Sequence, residues 1–206
     1  EEKKEQVLNS IEEQGKLTEE LKNQILAAET MVVVEDLYRP YRPKRRTRAS
    51  IAKEKGLEPL AVLITLQKTD RPPEELAEEY VDEEKGVKSA AEAIQGARDI
   101  IAENISDDAD YRSYIRSVTM KKGRVISAAK DPEAESVYEM YYDFEEPAGK
   151  LAGHRVLALN RGEKEKFLTV KVEAPEEEIL RYLYKKILRS DNPYTTPLLK
   201  EAADDS

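Results

Sequence analysis

The sequence of 206 residues contains 43 Asp and Glu against 34 Lys and Arg, which gives a formal net charge of −9. Charged residues make up 37% of the chain and hydrophobic residues 39%, which favours a helix-rich fold with several thin cores. The absence of cysteine excludes disulfides, zinc–cysteine sites, iron–sulfur centres and thiol nucleophiles, and the single His154 leaves no ordinary histidine-based metal site. Since no apolar run reaches the ~18 residues of a membrane helix, we expect no membrane association, and we expect neither a cofactor nor a metal.

The first forty residues predict three helices. The first ends at Gly15, Thr18 caps the second, and Thr30 caps the third. The β-branched run 32–34 is compatible with a strand, but the residues on either side favour a helix. Pro40 then ends this helix, and the prolines hold residues 39–43 extended. The predicted apolar face of the second helix is Leu21, Ile25 and Leu26. That of the third helix is Met31, Val34, Leu37 and Tyr38.

The next segments predict helices over residues 49–55 and 60–67, separated by Gly56. Residues 70–73, Asp-Arg-Pro-Pro, are a strong break and our predicted domain boundary, which gives parts 1–70 and 71–206. An acidic amphipathic helix is expected to follow over residues 74–85.

Ser89 and Glu92 have capping-box spacing and predict a helix to about Asn104, with the stripe Ile94, Ala97, Ile101 and Ile105. Its residues Ala90, Ala93, Gly96 and Ala97 are small enough to let another helix approach closely. Ser106 is expected to start the next helix, with Tyr111, Tyr114, Ile115 and Val118 facing inward. The sequence next predicts a short strand near residues 125–129. It then predicts a helix over residues 133–142, whose apolar face is Val137, Tyr138, Tyr141 and Tyr142.

The final third predicts a helix over residues 153–161, with Val156, Leu157 and Leu159 facing inward. Residues 168, 170 and 172 alternate as apolar positions, which predicts a strand that pairs with residues 125–129. Pro175 starts the last full helix, and Pro197 starts a short one. The predicted fold is mainly α, an elongated multi-helix assembly with one small two-stranded β-ribbon. Because the chain lacks an initial Met and stops about two turns after Pro197, we expect it to be part of a longer polypeptide.

One segment of the chain carries most of the candidate binding residues. Residues 38–55, the basic segment, carry eight Lys or Arg and one Glu, a net charge of +7 that leaves −16 for the rest of the chain. The prolines place Arg39 and Arg42 beside Tyr38 and Tyr41, an arrangement suited to phosphate contact with base stacking. The alternative is that these cations pair with the chain's own carboxylates or with a protein partner, which composition alone favours.

Other candidates are weaker. Asp107, Asp108 and Asp110 could hold Mg²⁺, but carboxylates in the first turn of a helix are expected from its dipole. His154 lacks a nucleophile and a carboxylate that would orient it, so a structural hydrogen-bonding role is favoured. Residues 161–163 contain one glycine and cannot build a phosphate loop.

Four blocks, read in order, resemble the bacterial transcription accessory protein Tex family. They are EDLYRPYRPKRRTRASIAKEKGLEPLA, AIQGARDIIAENIS, HRVLALNRGEKE and NPYTTPLLKEAADDS, and the resemblance extends from about Val7 to the last residue. It implies the helical N-terminal region, with a helix-turn-helix-like part, of a cytoplasmic factor that continues into RNase-H-like, helix-hairpin-helix and RNA-binding OB-fold domains. It implies no catalytic residue, and nucleic-acid binding transfers only to Arg42, Lys44, Arg45, Arg46 and Arg48.

Together these features predict a non-enzymatic scaffold and nucleic-acid-associating region of a Tex-like factor. Its expected partners are RNA or DNA, the transcription machinery and the remaining domains of the same polypeptide. The alternative is a protein–protein scaffold that positions RNA-binding domains without touching nucleic acid. The predicted nucleic-acid-binding residues are Arg39, Tyr41, Arg42, Lys44, Arg45, Arg46 and Arg48.

Overall fold

The structure, a computed structural model, describes residues 1–206 and contains eleven α-helices and three β-strands. The chain forms two compact units, one of residues 1–113 with 180–206 and one of residues 114–179. No helix is both long enough and apolar enough to span a membrane. The helices are α1 Glu2–Glu13, α2 Glu19–Ala27, α3 Met31–Tyr38, α4 Arg48–Glu54, α5 Glu58–Leu66, α6 Pro73–Glu78, α7 Ala90–Asp107, α8 Ala109–Lys122, α9 Gly153–Lys164, α10 Glu176–Ile187 and α11 Thr196–Asp205. The strands are β1 Arg124–Ala129, β2 Asp143–Pro147 and β3 Leu168–Glu173.

The first three helices begin and end where the sequence predicts. Gly15 follows α1 with a φ of +68°, and the Thr18 and Thr30 hydroxyls accept hydrogen bonds from the amides of Leu21 and Val33. The helical prediction for residues 31–38 is therefore confirmed over the strand alternative. Two predicted core positions are wrong, because Leu26 and Met31 are about half exposed. The core shared by these helices is Val7, Ile11, Leu21, Ile25 and Val34.

Helix α7 is the centre of the first unit, and α4, α5, α6 and α11 pack against it. Ala97, Ile101 and Ile105 are buried as predicted, whereas Ile94 is partly exposed. The predicted close approach at the small residues is confirmed at Gly96, where an added Cβ would lie 3.2 Å from the Ala52 Cβ of α4 and closer still to Leu57.

Three local predictions in this unit are wrong because side chains offer the backbone other hydrogen bonds. The helix predicted over residues 74–85 ends at Glu78, since the Asp82 carboxylate accepts from two following amides and turns the chain. Ser106 lies inside α7, and Asp108 instead accepts from the amides that open α8. Ser89 caps α7, but the Glu92 carboxylate accepts from the Lys88 amide, so the capping box is not reciprocal.

The domain boundary predicted at residues 70–71 lies inside the first unit, between α5 and α6. The two parts 1–70 and 71–206 stay a prediction about domain organisation and do not coincide with the two compact units.

The second unit contains one antiparallel sheet in the order β2–β1–β3. The predicted pairing of β1 with β3 is confirmed, with Val125 opposite Val172. The two-stranded ribbon is corrected to three strands, because residues 143–147 pair with the other edge of β1. This segment is acidic and ends in proline, so its sequence does not indicate a strand.

The helix predicted over residues 133–142 is wrong. Only Glu139–Tyr141 form a short 3-10 turn, and Val137 is 85% exposed. The Ser136 hydroxyl accepts from the Tyr138 amide and so competes with a helical bond. The predicted core role of Tyr138 and Tyr141 is nevertheless confirmed, since both are buried with Leu159 and Leu168.

The predicted α9, β3 and α10 are present, but their apolar faces are narrower than predicted. Leu157 is 72% exposed, and Val156 and Val172 are also exposed. Within α10 only Leu183 is fully buried, and α11 buries Leu199, Ala202 and Ala203.

Replacing Gly96 by alanine tests the contact between α4 and α7. Overpacking costs about 1–3 kcal/mol and exceeds the gain of about 1 kcal/mol that alanine brings to a helix, so we expect a net loss of about 1 kcal/mol in the free energy of unfolding. Chemical denaturation measures it. Gly153→Ala is the matched control because an added Cβ there meets no atom within 4 Å. Equal or higher stability of the Gly96 variant would contradict the packing described.

Candidate nucleic-acid interface

Local hydrogen bonds order both ends of the basic segment. Residues 39–41 form a 3-10 turn, and extended backbone begins at Arg42 (φ −66°, ψ 131°). The predicted extended conformation of residues 39–43 is therefore wrong at its start, because the φ that proline fixes is also compatible with a 3-10 turn. At the other end Thr47 and Ser50 form a reciprocal capping box that opens α4.

Three carboxylates on α7 lie opposite this segment. Asp99, Glu103 and Asp107 are spaced four residues apart, which places them on one face of the helix, about 6 Å from one to the next along its axis. We call them the acidic stripe. Their side chains are only 11%, 21% and 10% exposed. A buried row of negative charge needs cations nearby, and the basic segment supplies them.

The cations pair with the stripe in antiparallel order. Arg39 Nε lies 2.9 Å from Asp107 Oδ1. Lys44 Nζ bridges Asp107 and Glu103, at 3.5 Å from the Glu103 carboxylate. Further along, Arg48 lies 3.6 Å from Asp99. The basic segment and α7 are thus joined at three levels by ion pairs whose carboxylates are mostly buried, where charge interactions are stronger than at the surface.

Arg48 also connects this contact to α11. Its second guanidinium nitrogen lies 2.7 Å from Asp205 Oδ2, and Arg98 on α7 pairs with Glu201 on the same helix. One arginine at the start of α4 therefore joins the acidic stripe to the last helix.

Arg42, Arg45 and Arg46, the outward arginines, differ from these inward cations. Arg42 is 64% exposed and lies 3.9 Å from Glu35, and Arg46 is 71% exposed and lies 3.6 Å from Glu54. Pairs this long and this exposed contribute little to stability. Arg45 is exposed and has neither a hydrogen bond nor an ion pair. The outward arginines therefore present positive charge to solvent.

The tyrosines of the segment pack against the protein. Tyr38 and Tyr41 contact the core of α1, α2 and α3 and are only partly exposed. The Tyr38 hydroxyl lies 2.9 Å from Ser10 Oγ, and Gln14 donates to the Tyr41 carbonyl at 2.7 Å. This packing covers ring surface on which a base would have to stack. Of the two predicted interactions, the structure therefore favours phosphate contact over base stacking.

The three aspartates considered for Mg²⁺ have separate roles. Asp107 pairs with Arg39 and Lys44, Asp108 caps α8, and Asp110 lies in the first turn of that helix. The favoured hydrogen-bonding role of His154 is wrong, because the side chain is exposed at the start of α9 and makes no hydrogen bond.

Sequence reasoning placed the cations of the site and missed their partners. Asp99, Glu103 and Asp205 were not predicted as site residues, and Asp107 was considered only as a metal ligand. The four-residue spacing of the acidic stripe is visible in the sequence. It indicates one helix face, but the basic segment lies some sixty residues earlier, and the pattern itself does not say that the two meet.

Comparison with known proteins shows the family to which the chain belongs. Residues 68–194 match the model of a family described as Tex central region-like. The chain is 43% identical to Protein tex of Bordetella pertussis and 41% identical to transcriptional accessory protein Tex of Neisseria gonorrhoeae, over 81% and 82% of its length. It is 47% identical to the uncharacterized protein YdcI of Bacillus subtilis over 99% of its length. The chain belongs to the Tex family, and the matched regions span 21%, 22% and 29% of these three relatives.

Asp107→Asn tests the contact between the basic segment and the stripe. The change removes the charge that Arg39 and Lys44 share, and hydrogen bonds to charged groups contribute about 1.5–3 kcal/mol, so we expect a loss of about 2 kcal/mol in the free energy of unfolding. Urea denaturation measures it.

Asp108→Asn is the matched control for this variant. Asparagine caps a helix as well as aspartate, so its stability is expected to change by less than about 0.5 kcal/mol. Equal effects of the two substitutions would show that Asp107 has no special role.

Proposed function

We propose that this chain is a non-enzymatic scaffold and nucleic-acid-associating region of a Tex-type transcription accessory factor. Its partners would be RNA or DNA, the transcription machinery and the remaining domains of the same polypeptide, in the cytoplasm. The observation that carries this proposal is the division of the basic segment into inward cations on the acidic stripe and outward arginines in solvent.

The scaffold role is supported by the inward side. Arg39 and Lys44 hold the end of α3 and the following turn against the last turn of α7, through Asp107. Arg48 holds the start of α4 against α7 and α11. Segments distant in sequence are thereby fixed to one central helix, which is what a region that positions other domains requires.

Nucleic-acid contact is supported by the outward side. Arg42, Arg45 and Arg46 lie on backbone that the inward pairs already order, so little further conformational entropy is lost when they bind. Guanidinium groups suit phosphate oxygens geometrically. Three such contacts to a single strand predict that log K falls with log salt with a slope of about −2.

The non-enzymatic part of the proposal is supported by what the candidate groups do. The Asp107 carboxylate is taken up by two cations, Asp108 caps a helix, and His154 has no hydrogen-bonding partner. None of these groups forms a hydrogen bond with another of them, which an acid–base pair in catalysis requires.

A second candidate is a protein–protein scaffold that does not touch nucleic acid. Five carboxylates from outside the basic segment pair with it. Together with Glu54 they bring six negative charges to its eight positive ones, which reduces the local net charge to +2. The packing of Tyr38 and Tyr41 also favours this alternative.

Arg45→Ala/Arg46→Ala separates the two candidates. If the outward arginines bind phosphate, affinity for a fluorescent single-stranded oligonucleotide falls several-fold, and the salt slope becomes shallower by about 1.4. Because both side chains are exposed, the free energy of unfolding should change by less than about 0.5 kcal/mol. Fluorescence anisotropy across a salt series measures the first effect, and urea denaturation the second.

Lys16→Ala/Lys22→Ala removes the same charge from exposed positions that form no ion pair. An equal loss of affinity in this control, or no detectable binding by the parent chain at low salt, would favour the protein–protein scaffold.

A further inference from the structure

We propose a second phosphate-binding site, at the carboxyl-terminal end of α4, where Lys55 and Lys88 line an open cavity and the Lys85 side chain lies against the neighbouring Gly56. It rests on the nucleic-acid part of the proposed function and extends it from the outward arginines to a separate surface. The ligand class is the phosphate backbone of single-stranded nucleic acid. We call these three residues the lysine cluster.

Two left-handed turns bring Lys55 and Lys85 together. Gly56 (φ +79°) follows α4, and Gly86 (φ +81°) lies in the turn between Asp82 and Val87, which pair as an isolated β-bridge. A Cβ on Gly56 would lie 3.8 Å from Lys85 Nζ, and a Cβ on Gly86 would lie 3.6 Å from Lys55 Cε. The Lys85 side chain therefore reaches Gly56 and the Lys55 side chain reaches Gly86, so the two side chains run past each other in opposite directions.

The charge in this cluster is poorly compensated within the protein. Lys55 is only partly exposed and pairs with no carboxylate, and Lys88 likewise has no ion pair. Lys85 lies 3.5 Å from Asp82. The end of α4 adds about half a negative charge, which is too little to offset two unpaired ammonium groups. An anion from outside the molecule would give these two ammonium groups the partner that the protein does not provide.

The carboxylates that line the cavity are already engaged. Glu92 accepts the hydrogen bond of the Lys88 amide at 3.0 Å, and Asp99 pairs with Arg48. Asp99 thereby offsets the charge of Arg48. Lys55, Lys88 and Glu92 then leave the lining of the cavity with a net charge of +1.

The cavity has room for a ligand and adjoins the basic segment. Its volume is about 460 Å³, and its apolar wall includes Ile51, Leu57 and Gly96. Arg48 lines both this cavity and a neighbouring one, which Arg42 and Arg45 also line. The seven residue steps from Arg48 to Lys55 span about 10 Å along α4, which a strand of a few nucleotides can cover.

Lysine ammonium groups bind phosphate as point charges and do not distinguish bases. The second site should therefore add salt-dependent affinity without sequence preference. In Lys55→Ala/Lys88→Ala we expect affinity for a 12-nucleotide oligothymidylate to fall several-fold and the salt slope to become shallower by about 1.4. Lys55→Arg/Lys88→Arg, which keeps both charges, should bind like the parent chain, and Lys16→Ala/Lys22→Ala is the control for net charge.

NMR titration of the full chain locates the contact. With oligothymidylate, the amide resonances of Gly56 and Gly86 should shift in the parent chain and stay in place in Lys55→Ala/Lys88→Ala. A titration with inorganic tripolyphosphate separates the sources of phosphate. Shifts with tripolyphosphate but none with oligothymidylate would overturn the assignment to nucleic acid.

Failure of this inference can be told apart from failure of the proposed function. The amides of Arg45 and Arg46 report on the outward arginines, and those of Gly56 and Gly86 on the lysine cluster. Shifts at the arginines with none at the glycines would overturn the second site alone. Equal affinities of Lys55→Ala/Lys88→Ala and its charge control would overturn it as well.

Discussion

The pairing of the basic segment with the acidic stripe of α7 determines the arrangement of the candidate site. Asp99, Glu103 and Asp107 are mostly buried, and each needs a cation that the surrounding helices do not otherwise supply. Arg39, Lys44 and Arg48 meet that need in antiparallel order. Because these three positions face α7, the arginines between them are left facing solvent.

This division explains how a strongly cationic segment is tolerated in an acidic chain. The +7 charge of residues 38–55 is largely neutralised within the same unit, and the remainder is concentrated on a few exposed side chains. The same ion pairs order the backbone before any ligand binds. A region built in this way combines a structural role with a surface for polyanions, and the two roles depend on different residues.

Local signals in the sequence predicted much of the fold. The sequence predicted helix caps at Thr18, Thr30 and Ser89, and all three are present. The alternation of apolar residues predicted strand β3, which is also present. Both kinds of signal depend only on neighbouring residues. Strand β2 was missed because only its pairing with β1 makes the acidic residues 143–147 a strand. The candidate site was also predicted only where the signal is local. The density of charge in residues 38–55 revealed the cations. Their carboxylate partners depend on the packing of α4 against α7, and that packing is made by residues distant in sequence, such as Ala52 and Gly96.

A double-mutant cycle between Arg39 and Asp107 tests the central ion pair most directly. Unfolding free energies would be measured for the parent chain, Arg39→Met, Asp107→Ala and the double variant, at low and at high salt. The structure predicts a coupling energy of about 1 kcal/mol that decreases as salt is added. Additive effects of the two substitutions, with no coupling at low salt, would contradict the pairing on which this account depends.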